Sequence, residues 1–185
     1  MRITATIILL ISALFVATAQ EYILSTQTGK IYGELLMPND NTPCPIVLII
    51  AGSGPTNMDG NTLGSDYNNN SLRYLSEELA KSGIATLRYD KRGIGKSQKA
   101  ATSEEEMRFE HYIYDAAAWA DTLACDERFT KVIIAGHSEG SLIGMAAAQK
   151  SSNVKAFISI AGSGTPAHLL IEEQLRRQSE SVSNE

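Results

Sequence analysis

The residues with the clearest chemical potential are Gly136-His137-Ser138-Glu139-Gly140. A serine with glycine two positions away on each side is the pattern of an acyl-transfer nucleophile on a tight strand-to-helix turn. The glycines let strand and helix approach each other. The helix N-terminus then directs free N–H groups at an oxyanion forming on the attacked carbonyl. Residues 132–135, directly before, are apolar, and residues 142–149, directly after, have a helical pattern, which is the context such a turn needs. The competing reading makes Ser138 an ordinary helix N-cap.

A second segment, Gly52-Ser53-Gly54-Pro55, follows the apolar run at residues 44–51. The loop after such a strand can supply a second N–H to the oxyanion. Ser53 is the candidate for that donor, and Glu139, next to Ser138, for the first. Both would act through backbone N–H, so side-chain identity matters little. A plain Gly-Pro turn is the alternative. Gly95-Lys96-Ser97 is not a phosphate loop, because Asp90 stands where its first glycine belongs. Gly93-x-Gly95 lacks the third glycine of a dinucleotide loop. Cys44 and Cys125 fit neither a metal site nor a CxxC redox motif, and no cofactor or metal is implied.

The elements that must hold these residues alternate between strand and helix. Residues 22–26 and 30–37 read as strands joined by a turn at Thr28-Gly29. Residues 44–51 (CPIVLIIA) are continuously apolar and β-branched, as a strand buried on both faces requires. Residues 59–70 are polar and rich in Asn and Gly, hence a loop. A helix is expected at 71–81, ended by Gly83, and a strand at 84–89. A long helix is expected at 104–124, with Phe109, Ile113, Ala116, Ala117, Ala120 and Leu123 on one stripe. After the strand at 132–135 and the helix at 142–149 come a strand at 154–161 and a helical, polar-ended tail from Pro166. Such alternation indicates an α/β fold with a mostly parallel sheet and flanking helices.

The 185 residues suit one domain, and a formal charge of -5 argues against nucleic-acid binding. Lys91, Arg92, Lys96 and Lys99 cluster, but Gly and Asp90 interrupt them, so they read as a solvated loop. Arg2, the apolar run from Ile7 to Val16 and Ala17-Thr18-Ala19 form an export signal over residues 1–19, with cleavage before Gln20. The run is short for a bilayer span, so no membrane association is expected after cleavage, and the protein is expected in the periplasm or outside the cell. In that oxidising setting Cys44 and Cys125 are either two small semi-buried hydrophobes or a disulfide at the end of the sheet away from Ser138.

Four motifs in order, GSGP, Asn57-Met58-Asp59-Gly60-Asn61, RYDKRGIGKS and AGHSEGSLIG, resemble the secreted bacterial α/β-hydrolase esterases of the serine aminopeptidase-like (hydrolase-4) grouping. The resemblance runs from about Gly29 to Gly164. It implies the α/β-hydrolase fold over residues 20–165 and the start of a lid helix over 166–185. It also implies a small-molecule ester substrate of acetyl, short-acyl or aryl type. The family's nucleophile maps to Ser138 and its oxyanion donors to Ser53 and Glu139. Asp90, Arg92 and Gly93 match a turn that looks structural.

The family's order is Ser, then an acid, then a His. Of the three histidines here, His111 precedes Ser138 on a helix, His137 adjoins it, and His168 falls where the lid begins. Glu172 and Glu173 follow His168. The expected acid and base would therefore lie after Glu185, with the sheet truncated after about strand six. Two alternatives stay open: a peptidase or amidase of the same fold, and a hydrolase-like binding domain without catalysis.

Overall fold

The computed structural model describes residues 19–38, 42–103 and 105–182. Residues 1–18 of the expected export segment, residues 1–19, lie outside them. The first strand opens at Ala19, the last residue of that segment.

Six strands form one sheet: β1 (Ala19–Ser25), β2 (Lys30–Leu36), β3 (Cys44–Ile50), β4 (Ala85–Tyr89), β5 (Phe129–His137) and β6 (Val154–Ile160), in the order β1-β2-β4-β3-β5-β6. β2 runs antiparallel to β1 and β4, and the pairs β3–β4, β3–β5 and β5–β6 are parallel. The parallel pairs require crossovers, which the helices provide. These are α1 (Ser71–Lys81), α2 (Phe109–Ala124) and α3 (Glu139–Lys150), and α4 (Ala167–Val182) follows β6. The arrangement is an α/β-hydrolase sheet, as the motif order implied.

β3 shows why its sequence is apolar throughout. Ile46, Leu48 and Ile50 pack with Ile113, Ala116, Leu123 and Ile143 of α2 and α3. Val47, Ile49 and Ala51 face the opposite side and pack with Leu72, Leu75 and Leu79 of α1. Side chains alternate along a strand, so a strand covered on both faces must be apolar at every position. Trp119 of α2 is fully buried, with its ring centroid 6.0 Å from Tyr22 and 5.9 Å from Tyr89. These contacts tie α2 to β1 and β4. β6 is the edge strand opposite β1, and Ile158 is 47% exposed there. Leu169, Ile171 and Leu175 of α4 are exposed as well.

Three expectations are corrected. The long helix begins at Phe109 rather than 104, because Arg108 adopts an extended conformation and caps it with His111; Phe109 is consequently exposed. Cys44 and Cys125 are not joined by a disulfide. Their chain positions do meet, since the Cys44 N–H donates to the Arg128 carbonyl, but Cys44 belongs to the core while Cys125 is exposed at the end of α2. The third correction concerns the basic turn after β4. Lys91 and Arg92 are buried, not solvated, and only Lys96 and Lys99 are exposed.

Candidate active site

Ser138 stands between β5 and α3 at φ 53°, ψ -119°. This is a left-handed conformation that a residue with a Cβ adopts only at a cost of about 1–3 kcal/mol. The surroundings enforce it. The Ser138 N–H donates to the Ile160 carbonyl at the end of β6 at 2.9 Å, and the Ser138 carbonyl accepts from the Ser141 N–H at 2.9 Å. The Ser141 hydroxyl also donates to the Gly136 carbonyl. A Cβ on Gly140 would stand 2.4 Å from the Ile50 carbonyl oxygen. Only glycine lets α3 begin this close to β3, and that approach lifts Ser138 to the carboxyl end of the sheet. Binding crevices of parallel sheets open at this end.

Gly52 lies beside it. A Cβ built on Gly52 would be 3.4 Å from Ser138 Cβ and 3.2 Å from His137 Nδ1. Ser53 is therefore the residue next to the one touching the elbow. Among the described residues, neither the Ser53 N–H nor the Glu139 N–H has a hydrogen-bond acceptor. Ser53, Ser138 and Glu139, the three residues singled out in the sequence, thus converge at the ends of β3 and β5.

The loop after Ser53 is tied down by a second set of residues. The Thr56 hydroxyl donates to the Ser53 carbonyl at 2.7 Å. Asn57 Oδ1 accepts the N–H groups of Asp59 and Asn61 at 3.0 and 2.9 Å. Asn61 and Asn70 exchange hydrogen bonds of 2.8 and 2.9 Å. The buried Asp90 carboxylate accepts the Met58 N–H at 2.8 Å and the Lys96 N–H at 2.9 Å. Gly95, at φ 48°, is required there, because a Cβ would fall 2.2 Å from Asp90 Oδ2. Arg92 donates to both Asp115 oxygens at 2.9 and 2.6 Å. Arg88 pairs with Glu34 and Asp59. The turn after β4 is a buried ionic scaffold for the loop that carries Ser53.

Sequence reasoning missed Lys91. Its ammonium donates to the Gly52 carbonyl at 2.6 Å and to Glu139 Oε2 at 2.8 Å, and lies 5.4 Å from the centre of the Tyr112 ring. Its place one residue after Asp90, at the end of a parallel strand, was the available signal.

The histidines do not supply a base to Ser138. His111 Nδ1 accepts the Arg108 N–H at 3.2 Å and caps α2. His168 is exposed on α4. Among the described residues no hydrogen bond joins His137 to Ser138. Glu173 is engaged with Arg176 and Arg177, whose guanidinium groups pull its carboxyl down to about 2. Among the described residues no group of His, Cys, Asp and Glu could hold a metal ion.

Residues 67–180, more than half of the chain, match the family described as Serine aminopeptidase, S33 (Hydrolase_4). The chain belongs to this family. It is 28% identical over 144 residues to Esterase EstD of Thermotoga maritima, covering 78% of this chain and 33% of EstD. Est1E of Butyrivibrio proteoclasticus, solved with ferulic acid bound, is 30% identical, with a TM-score of 0.53 over 69% of this chain and 47% of Est1E. A putative α/β hydrolase of Agrobacterium tumefaciens, ATU1826, is 26% identical, with a TM-score of 0.58 over 78% of this chain and 61% of its own. The chain spans a third to three-fifths of the length of these relatives.

Proposed function

We propose that this chain carries the nucleophile and oxyanion site of a serine hydrolase acting on carboxylic esters of short-acyl, acetyl or aryl type. The observation that carries the reading is the strained Ser138 at the β5–α3 turn, beside the Gly52–Ser53 segment, with the Ser53 and Glu139 N–H groups lacking an acceptor among the described residues. Such strain persists only where the surroundings over-determine it, and it concentrates at functional sites. In this reading the Ser138 hydroxyl attacks the ester carbonyl and gives up its proton to a base. The carbonyl oxygen, now negative, accepts hydrogen bonds from the Ser53 and Glu139 N–H groups. The tetrahedral intermediate collapses, the alcohol leaves with a proton, and water then hydrolyses the acyl-enzyme. This reading needs a base other than His111, His137 and His168, none of which bonds to Ser138. Relatives of this chain bear the name esterase, and one holds an aromatic carboxylic acid, which supports the ester assignment.

The family's description as an aminopeptidase favours a second reading, cleavage at a free amino terminus. That chemistry needs a carboxylate next to the nucleophile to hold the substrate ammonium. Glu139 is the adjoining carboxylate, and Lys91 already engages it. Comparing para-nitrophenyl acetate with an amino-acid para-nitroanilide on the full-length protein separates the two. Ester turnover that exceeds amide turnover by several powers of ten, and is lost in Ser138→Ala, is expected. Preferential amide turnover would overturn the ester reading.

A further inference from the structure

Lys91 is a buried charge on the Gly52–Glu139 side of the elbow that the proposed reaction does not use. Its side chain is 3% exposed. A buried ammonium is costly unless its donors are all matched. Here each direction is occupied: the Gly52 carbonyl, the Glu139 carboxylate and the Tyr112 ring face. Two of those three partners belong to the oxyanion site. The carbonyl of Gly52 and the N–H of Ser53 are the two ends of one peptide unit. No peptide bond described is cis. In a planar trans peptide the C=O and N–H point in opposite directions. Holding the Gly52 oxygen on Lys91 therefore aims the Ser53 N–H away from the ammonium. The same bond withdraws electron density through the amide and makes the N–H a stronger donor. The second hydrogen bond of Lys91 runs to Glu139, whose own backbone N–H is the other candidate donor.

We infer that Lys91 is a positioning residue that locks both oxyanion donors, orienting the Gly52–Ser53 peptide through its carbonyl and the start of α3 through the Glu139 carboxylate. The inference rests on the ester-hydrolase reading above. Lys91 touches neither substrate nor the reacting atoms. Its effect passes through the two N–H groups, so it appears when negative charge forms on the carbonyl oxygen and not when the neutral ester binds. A neutral side chain of the same length would leave the Gly52 carbonyl free to rotate and would leave Glu139 without its ion-pair partner.

The test uses the full-length protein. Active sites are counted by a fluorophosphonate that reacts at Ser138, and kcat per counted site and KM are measured for para-nitrophenyl acetate. Affinity for phenylboronic acid, whose tetrahedral adduct on Ser138 places an oxygen between the two donors, is measured alongside. In Lys91→Met, kcat per counted site is expected to fall about ten-fold or more, part of the ~10²–10³ that one oxyanion donor contributes. KM should stay within about two-fold, and boronate affinity should fall with kcat. Lys91→Arg, which keeps donors for both partners, should recover part of the loss. If Lys91→Met does not fold, Glu139→Gln, which removes the ionic anchor from a half-buried site, should show the same pattern at smaller amplitude. Wild-type kcat per counted site in Lys91→Met, or in Glu139→Gln where Lys91→Met does not fold, or a loss confined to KM or to the number of sites, would overturn the inference. Failure of the wild type to react at Ser138 is a separate result: it removes the ester-hydrolase reading and this inference with it.

Discussion

A methyl group on Gly136 would stand 2.1 Å from the carbonyl oxygen of Gly140. The last turn of β5 and the first turn of α3 are in backbone-to-backbone contact at this point, and neither can retreat without moving Ser138 between them. Gly136→Ala is therefore expected to destabilise the protein by about 3 kcal/mol, the upper range for overpacking, in chemical denaturation. An unchanged midpoint would mean that strand and helix are further apart than described.

The same turn predicts a trade between stability and activity. Ser138 is held at φ 53°, ψ -119°, a region that glycine occupies without strain. Ser138→Gly relieves that strain but adds freedom to the unfolded chain. The net expected effect is a gain of about 1 kcal/mol, with all Ser138-dependent hydrolysis lost. A variant less stable than the wild type would count against the strained elbow.

Much of this was legible in the sequence, for reasons that particular residues make plain. The unbroken apolar run of β3 announces a strand covered on both faces, and GHSEG between an apolar strand and a helical pattern places Ser138 on the elbow. What the sequence hid are interactions between segments far apart in the chain. Lys91 and Arg92 look like loop charges, because nothing local reveals that Gly52, Glu139 and Asp115 will surround them. The start of α2 was misplaced for a related reason. Residues 104–108 contain good helix formers, yet the cap formed by Arg108 and His111 sets the boundary. The possible disulfide failed because Cys44 is in the core while Cys125 is exposed, which chain proximity alone does not reveal.

At the end of the sheet away from Ser138, Asp126 accepts hydrogen bonds from Arg128 and from the Tyr22 hydroxyl at 3.2 Å. The Arg128 guanidinium holds the Asp126 carboxyl below its ordinary value of 3.8. A carboxylate whose pKa is depressed by folding adds stability above its unfolded value, and that stability is lost as pH falls through the folded value. The wild type should exceed Asp126→Asn in stability at pH 6, and the gap should close as pH falls below the ordinary carboxylate value of 3.8. A gap independent of pH over that window would contradict the pairing.

Export remains a proposal carried by Arg2, the apolar run from Ile7 to Val16 and Ala17-Thr18-Ala19. Terminal sequencing of protein recovered outside the cytoplasm should begin at or near Gln20. Gln20 of the edge strand β1 pairs with Leu35 of β2, so a chain starting there keeps nearly all of β1. Mature protein that retains Met1 would contradict export.

The central claim is that Ser138 is the acylated residue. It is tested most directly by mass spectrometry of the full-length protein after brief reaction with a fluorophosphonate. One phosphonyl group is expected per molecule, on the peptide containing Ser138, with none in Ser138→Ala and ester hydrolysis lost in parallel. Labelling at another residue, or undiminished ester turnover by Ser138→Ala, would contradict the account.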